Sequence, residues 1–252
     1  MSDDTEDLIP RIRRDDDIYL VSFPKSGNSW LSFIIANMMV EKLELGFRVN
    51  HFNLHGFVPD IHQGRDISGD LGYFPFKRFI KSHAGFHPDY KNLIYLVRDP
   101  RSVMVSYHIF LTKLGFIDLP LSDFIHNPSL GIVSWVSHVD DWMNKTVPGT
   151  RMRVFRYEDM LSDVAARIEE IAFLIGCKLG SEQVVRIAEH CSFSEMKALE
   201  KGTGSLTTLR HDKSFSFVRQ GSSTGWRDVI SSDDLAYIET VSEHWMSHFN
   251  YE

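Results

Sequence analysis

A short loop near the start of the chain combines a lysine, small hydroxyl residues and a glycine, which are residue types that bind phosphate. It reads Pro24-Lys25-Ser26-Gly27-Asn28-Ser29-Trp30. At the mouth of a helix its backbone N–H groups would face an anion, while Lys25 would add a full positive charge and the hydroxyls would add donors. It is not a Walker-type loop, because G-x-x-x-x-G-K-[ST] requires glycines ahead of the lysine and Pro24 stands there instead. The loop predicts an anion site without identifying the anion.

The residues on either side of this loop predict a strand and a helix. Residues 18–23 are a short apolar and β-branched run, which is typical of a buried parallel strand. From Trp30 onward, apolar residues recur at helical spacing. The same order returns at residues 93–97, followed by a helix from Pro100 to about Lys113, because proline suits the first turn of a helix.

Further elements follow the same pattern along the chain. Residues 151–157 predict another strand, and residues 79–81 could end one more. Helices are predicted after Asp163 and at 132–144, 181–190 and 233–249, whereas 50–72 and 201–224 lack periodicity and are candidate lids. Alternating strands and helices indicate an α/β fold, a single-domain parallel sheet flanked by helices.

Length and charge limit the class of protein. With 252 residues and 43% hydrophobic content, the chain is expected to form one domain over residues 18–252, after a flexible charged tail at 1–17. The net charge of -7 argues against binding to nucleic acid or to an anionic membrane, because both need a basic face. No apolar stretch approaches the roughly 20 residues that span a bilayer.

The two cysteines, Cys177 and Cys191, have no metal-ligand spacing and suggest no disulfide framework. We therefore expect a cytoplasmic protein that needs no metal.

Five separated segments resemble, in order, the motifs of the cytosolic-type sulfotransferases, which have a P-loop-like fold and use 3′-phosphoadenosine 5′-phosphosulfate as donor. The loop at Lys25 is similar to the family's 5′-phosphosulfate-binding loop. The other segments are Lys81-Ser82-His83 and residues 98–107, 191–197 and 217–227. A single short match is weak, but five in the family's order make a specific signal.

The resemblance implies the residues that bind the donor phosphates. The 5′-phosphosulfate side is assigned to Lys25, Ser26, Gly27, Asn28, Ser29 and Trp30. Arg98 and Ser106 resemble the family's 3′-phosphate clamp, and a guanidinium fork suits that anion. A late segment is implied to close over the same phosphate, where Gln220 replaces the usual lysine. That segment contributes Arg219, Gln220 and Gly221.

The resemblance also implies the catalytic and adenine-binding residues. His83 would be the base, with Lys81 and Lys25 on the transferring group. Phe193 would stack on the adenine, with Trp30 as a second wall and Tyr157 as a further neighbour. Cys191 stands where the family usually has threonine, which puts that hydrogen bond in question.

The implied function is metal-independent transfer of a sulfuryl group to a hydroxyl of a small molecule, with an amine or carbamoyl nitrogen left open as acceptor. The product would be adenosine 3′,5′-bisphosphate. Two alternatives remain at this point: a P-loop kinase, and a catalytically inactive nucleotide-binding protein. The family's C-terminal dimer motif has no convincing counterpart, so the oligomeric state, monomer or homodimer, is open.

Overall fold

Four parallel strands, in the order β2-β1-β3-β4, form the sheet at the centre of the described structure. The computed structural model describes residues 14–63, 77–145, 147–203 and 224–251. The strands are β1 (Ile18–Val21), β2 (Phe79–Ser82), β3 (Asn92–Val97) and β4 (Arg151–Arg156). Ile18 pairs with Phe79 of β2 and Tyr19 with Leu93 of β3, so β1 lies in the middle with neighbours on both sides.

The helices follow the strands and cover the sheet. They are α1 (Asn28–Leu43), α2 (Leu54–Phe57), α3 (Pro100–Lys113), α4 (Leu121–Ile125), α5 (Ile132–Asn144), α6 (Tyr157–Ser162), α7 (Val164–Ile175), α8 (Ser181–His190), α9 (Phe193–Thr203) and α10 (Ser232–His248), with a 3₁₀ turn at Ile61–Gln63. The predicted α/β fold is confirmed, and the predicted bounds of α3, α5 and α8 agree with those observed.

Each face of the sheet has its own apolar core, because successive side chains of a strand point to opposite faces. On β1, Leu20 packs with residues of α1, α7 and α8, whereas Tyr19 and Val21 pack with residues of α3, α5 and α10. Trp135 and Trp142 of α5 are fully buried in the second core. Two filled cores hold the strands rigidly, so side chains at the strand ends have fixed positions.

Two expectations about irregular segments need correction. Residues 50–72 were expected to lack regular structure, yet α2 and the 3₁₀ turn lie within them, and Asp60 forms a parallel bridge with Lys81. The second candidate lid begins inside α9, which continues to Thr203, and residues 204–223 lie outside the described part of the chain.

The end of the predicted tail is also part of the fold. Asp17 is buried and accepts hydrogen bonds of 2.6 Å from Nε and Nη2 of Arg78, the residue just ahead of β2. This ion pair joins the starts of β1 and β2.

Candidate functional site

The carboxyl ends of the four strands bring together most of the predicted site residues. The loop of Lys25 follows β1, Lys81 and His83 lie at the end of β2, Arg98 follows β3 directly, and Tyr157 follows β4. In parallel sheets, ligands bind at this edge where the strand order reverses, and here the chain passes from β2 over β1 to β3. The sheet topology therefore forms one site from segments far apart in sequence.

The loop after β1 has two residues in the left-handed region of backbone space. Lys25 has φ 68° and Gly27, the residue before α1, has φ 103°. Gly27 also touches Tyr157, because a Cβ atom on Gly27 would lie 2.6 Å from Cδ2 of that ring. With no side chain at this position to cap α1, the N–H groups of the first helical turn can serve a ligand.

Asn28 has a structural task that the sequence did not reveal. Its Nδ2 donates to the carbonyl oxygens of Leu20 at 2.8 Å and of Ser82 at 3.2 Å, so it ties α1 to the ends of β1 and β2. The side-chain N–H groups of Asn28 are therefore occupied, and its backbone N–H is the group that can bind an anion. Ser26 differs: its Oγ is buried and has no hydrogen-bond partner among the described residues, as suits a hydroxyl that binds an anion.

Two cations flank the loop, and each lies over an aromatic ring. The Lys25 ammonium is 4.3 Å from the ring centre of Phe110 on α3. The Arg98 guanidinium is 4.3 Å from the ring centre of Tyr157, and its Nη1 donates to the Lys25 carbonyl at 3.2 Å. These contacts place both positive charges beside the start of α1.

His83 is held in one tautomer. Its Nδ1 lies 2.8 Å from the backbone carbonyl of Ser22, and because a carbonyl can only accept, Nδ1 carries the proton. Nε2 then keeps its lone pair. Burial, and next the Lys81 ammonium, lower the pKa of His83 below its ordinary value of 6.5, so the ring is neutral at physiological pH. A neutral imidazole with a free Nε2 can take a proton from a hydroxyl.

The Lys81 ammonium lies next to the loop of Lys25 and the start of α1. Its Nζ is 3.4 Å from Oγ of Ser29 in the first turn of α1 and 2.8 Å from Oδ2 of Asp60. Burial raises the pKa of Asp60, but the charge and hydrogen bond of Lys81, together with smaller contributions from His83 and the His62 N–H, outweigh that effect, so the net pKa is lowered and the carboxylate stays ionised. Lys81 is thus a fixed cation beside the anion loop.

Two of the predicted adenine residues, Trp30 and Tyr157, are in contact at the start of α1. Nε1 of Trp30 donates to the Cys191 carbonyl at 2.8 Å, which holds the start of α9 against α1. Trp30 and Tyr157 meet edge to face with ring centres 5.6 Å apart. Phe193, the first residue of α9, is 38% exposed, and the Lys197 ammonium lies 5.4 Å from the centre of its ring.

The Cys191 side chain does not point to a ligand. Its Sγ is buried and accepts from Nδ2 of Asn37 at 3.5 Å, and burial raises the pKa of this thiol to about 12. A neutral, inward-facing thiol cannot supply the polar contact expected of the threonine it replaces.

Of the remaining predicted site residues, one lies within the described part of the chain and three lie outside it. Ser106 is on α3 and half-buried, two turns beyond Arg98. Arg219, Gln220 and Gly221 lie outside the described residues. Sequence reasoning missed Ser22 and Asp60 as neighbours of the base, since neither lies in a recognisable motif and only the strand ends bring them to it.

Within the described residues, no group of three His, Cys, Asp or Glu side chains could hold a metal ion. Across those same parts of the chain, no helix combines the length and apolar character needed to cross a bilayer.

Comparison with known proteins gives concordant matches. The sulfotransferase domain model matches residues 15–250. The 3-alpha-hydroxysteroid sulfotransferase of Cavia porcellus is 26% identical over 94% of this chain and 85% of its own length. Sulfotransferase 1E1 of Bos taurus is 30% identical, covering 85% of this chain and 78% of that protein.

Solved structures share the fold. Mouse sulfotransferase SULT7A1, complexed with PAP, gives a TM-score of 0.71 at 21% identity, covering 95% of this chain and 86% of that one. Retinol dehydratase, in a complex with retinol and PAP, gives a TM-score of 0.72 at 22% identity over 93% and 82%.

Proposed function

The chain belongs to the sulfotransferase family, and from this we propose which of its residues bind the donor and carry out the transfer. The protein is a sulfotransferase that uses 3′-phosphoadenosine 5′-phosphosulfate as co-substrate and a small molecule as acceptor. The family prediction made from the motifs is confirmed. The roles of individual residues are our proposal.

The donor lies along the start of α1. The 5′-phosphosulfate occupies the loop of Lys25, where the first-turn N–H groups, the Ser26 hydroxyl and the Lys25 ammonium surround it. The adenine lies between Trp30 and Phe193, with Tyr157 as a further neighbour. The 3′-phosphate is held by Arg98 and Ser106, together with Arg219, Gln220 and Gly221.

The transfer is an in-line displacement at sulfur. Nε2 of His83 takes the acceptor proton while the acceptor oxygen bonds to sulfur and the bond from sulfur to the 5′-phosphate oxygen breaks. Negative charge moves to that leaving oxygen, which becomes part of adenosine 3′,5′-bisphosphate. Lys25 and Lys81 stabilise the charge as it develops. Because two ammonium groups do this work, no metal ion is required in the proposed mechanism.

A single observation carries this proposal: the hydrogen bond from Nδ1 of His83 to the Ser22 carbonyl leaves Nε2 as an acceptor beside the Lys81 ammonium. A histidine with only a structural role would be expected to use both ring nitrogens. His138 on α5 shows that alternative: its Nδ1 pairs with the Tyr95 hydroxyl at 2.8 Å and its Nε2 with the Ala84 carbonyl at 2.9 Å.

His83→Ala tests the proposed base. We expect turnover to fall by about 10²-fold to 10⁴-fold, which is the usual contribution of a general base. Affinity for adenosine 3′,5′-bisphosphate, measured by calorimetry, should stay near that of the wild type, because His83 contacts neither phosphate in the proposed complex. His138→Gln is the control for loss of a histidine near the same strand. Unchanged turnover in His83→Ala would refute the role of the base.

Ligand-dependent melting separates the sulfotransferase from the two alternatives. A ligand that binds the folded protein alone raises its melting temperature. Adenosine 3′,5′-bisphosphate should stabilise the protein more than ATP with magnesium does. A kinase would show the reverse order, and an inactive nucleotide-binding protein would be stabilised but would transfer no sulfate.

The acceptor is proposed to be a hydroxyl compound with an apolar body. Tyr107 of α3 is half-buried and packs edge to face against the buried rings of Phe23 and Phe124. An aromatic surface of this kind suits an apolar small molecule, and the relative from Cavia porcellus is a 3-alpha-hydroxysteroid sulfotransferase. Mass-spectrometric screening of phenols, alcohols and amines would distinguish oxygen from nitrogen acceptors.

A cytoplasmic location is also proposed, since both cysteines are buried free thiols.

A further inference from the structure

Asp60 forms an ion pair with a proposed catalytic lysine, because its Oδ2 lies 2.8 Å from Nζ of Lys81. It lies in the segment before the 3₁₀ turn, outside every motif of the sequence. Its side chain is 5% exposed and that of Lys81 12%, so the pair is almost wholly removed from water. A charge at such a site is costly unless it is paired, and this pairing therefore has a strong effect on where Lys81 lies.

Asp60 is attached to the strand end by backbone contacts as well. It forms a parallel bridge with Lys81, whose backbone N–H donates to the Pro59 carbonyl at 2.8 Å. The carboxylate is therefore held by the chain on either side of it, and the lysine by the end of β2. Neither partner needs to reorganise to keep the contact.

The same carboxylate reaches the base by a second route. Oδ1 of Asp60 accepts the backbone N–H of His62 at 3.0 Å, and Nε2 of His62 accepts the backbone N–H of His83 at 2.8 Å. Asp60 thus connects to both Lys81 and His83, through its two carboxylate oxygens.

We propose that Asp60 is a positioning residue for sulfuryl transfer, which fixes the Lys81 ammonium beside Ser29 at the place where the sulfuryl group is bound. This inference rests on the proposed roles of Lys81 and His83. A lysine has a long flexible stem, and its entropy of ordering opposes any fixed position. The carboxylate removes that cost before the donor arrives, so the cation is already in place when charge develops on the leaving oxygen.

The proposed role of Asp60 differs from that of a residue that binds the sulfuryl donor directly. Asp60 is negative and would repel a sulfate or phosphate, yet the Lys81 ammonium lies between it and the loop. Its loss should therefore slow the chemical step and leave the binding of adenosine 3′,5′-bisphosphate, which has no sulfuryl group, unchanged.

Asp60→Asn keeps the size of the side chain and removes its charge. With the best acceptor from the screen, we expect kcat to fall about 10-fold to 100-fold, less than for removal of a catalytic group. The dissociation constant for adenosine 3′,5′-bisphosphate should change by less than about 3-fold. Asp17→Asn, which breaks the buried pair with Arg78 away from the site, is the matched control for loss of a buried carboxylate. Asp60→Asn with a kcat no lower than that of Asp17→Asn overturns the proposal.

A double-mutant cycle tests whether Asp60 acts through Lys81. Residues that work as a unit give non-additive effects. In the Lys81→Met background, adding Asp60→Asn should change kcat by less than about 3-fold. Two effects that multiply would show that Asp60 acts independently of Lys81 and would overturn the proposal.

Asp60→Glu keeps the charge and adds one methylene, so its kcat should lie between those of the wild type and Asp60→Asn. A value no better than that of Asp60→Asn would show that packing, not charge, matters, and would overturn the inference. If Asp60→Asn does not fold, Asp60→Ser, which also removes the charge, takes its place with the same expected fall in kcat, and an unchanged kcat is the contradicting result. His83→Ala keeps the two proposals apart: an active His83→Ala refutes the proposed base, whereas an inactive one with a normal Asp60→Asn refutes only the positioning role.

Discussion

The sheet carries a buried ion pair at each end of its strands, and the two pairs are built differently. At the amino ends, Arg78 binds Asp17 through two bonds of 2.6 Å, and both side chains are almost fully buried. At the carboxyl ends, Lys81 binds Asp60 through one bond of 2.8 Å and keeps an additional contact with Ser29. The first pair is bidentate and lies away from the predicted site, whereas the second is a single contact beside the anion loop.

This difference indicates which end of the sheet is built for stability and which for a ligand. An ammonium has three N–H donors, and with Asp60 and Ser29 each accepting one from Lys81, the third is left for the sulfuryl donor. The bidentate Arg78 side chain is 3% exposed and lies at the opposite edge of the sheet, away from the predicted site residues. Mutations at the two ends should therefore separate loss of stability from loss of turnover.

Asp17→Asn should give the largest loss of stability. Removing one partner of a buried pair leaves an unpaired charge, which costs about 3–5 kcal/mol of unfolding free energy. Chemical denaturation would measure this loss. Turnover per folded molecule should be that of the wild type, and a large fall in kcat would contradict the assignment of this end to stability.

Lys25→Met should lower turnover and leave stability nearly unchanged, which is the reverse of the effect expected for Asp17→Asn. The methionine keeps an apolar stem against Phe110 but removes the charge, so kcat should fall about 10²-fold to 10³-fold, as for removal of one transition-state donor. The unfolding free energy should change by less than about 1 kcal/mol, which is usual for substitutions that leave packing intact. Transfer assays and denaturation on one preparation test both. A kcat within 3-fold of the wild type would exclude Lys25 from the transfer step.

Gly27→Ala should affect both properties moderately. The added Cβ would meet the Tyr157 ring at 2.6 Å in a backbone conformation that disfavours side chains. We expect a loss of about 1–3 kcal/mol in stability. Donor affinity should weaken because Tyr157 also contacts Arg98. Calorimetry with adenosine 3′,5′-bisphosphate measures this, and unaltered affinity would mean that the loop tolerates a displaced ring.

The sequence predicted the fold and the main site segments because both depend on local patterns. Apolar runs and a proline at the first turn of α3 predict strands and helices, and the motif order predicts which loops share a ligand. The side-chain amide of Asn28 bonds across β1 and β2, a contact that no spacing in one segment reveals. Asp60 was missed for the same reason, since its partner is 21 positions away and its segment shows no periodicity.

The hydrogen bond between His83 and the Ser22 carbonyl also bears on how the enzyme resets. Under the proposed mechanism, Nε2 gains the acceptor proton, and Nδ1 is already committed to the carbonyl. The proton must then leave through the same nitrogen that received it, before another acceptor can be activated. The opening that admits the acceptor is thus also the exit for its proton, and proton release to solvent belongs in the turnover cycle beside nucleotide release.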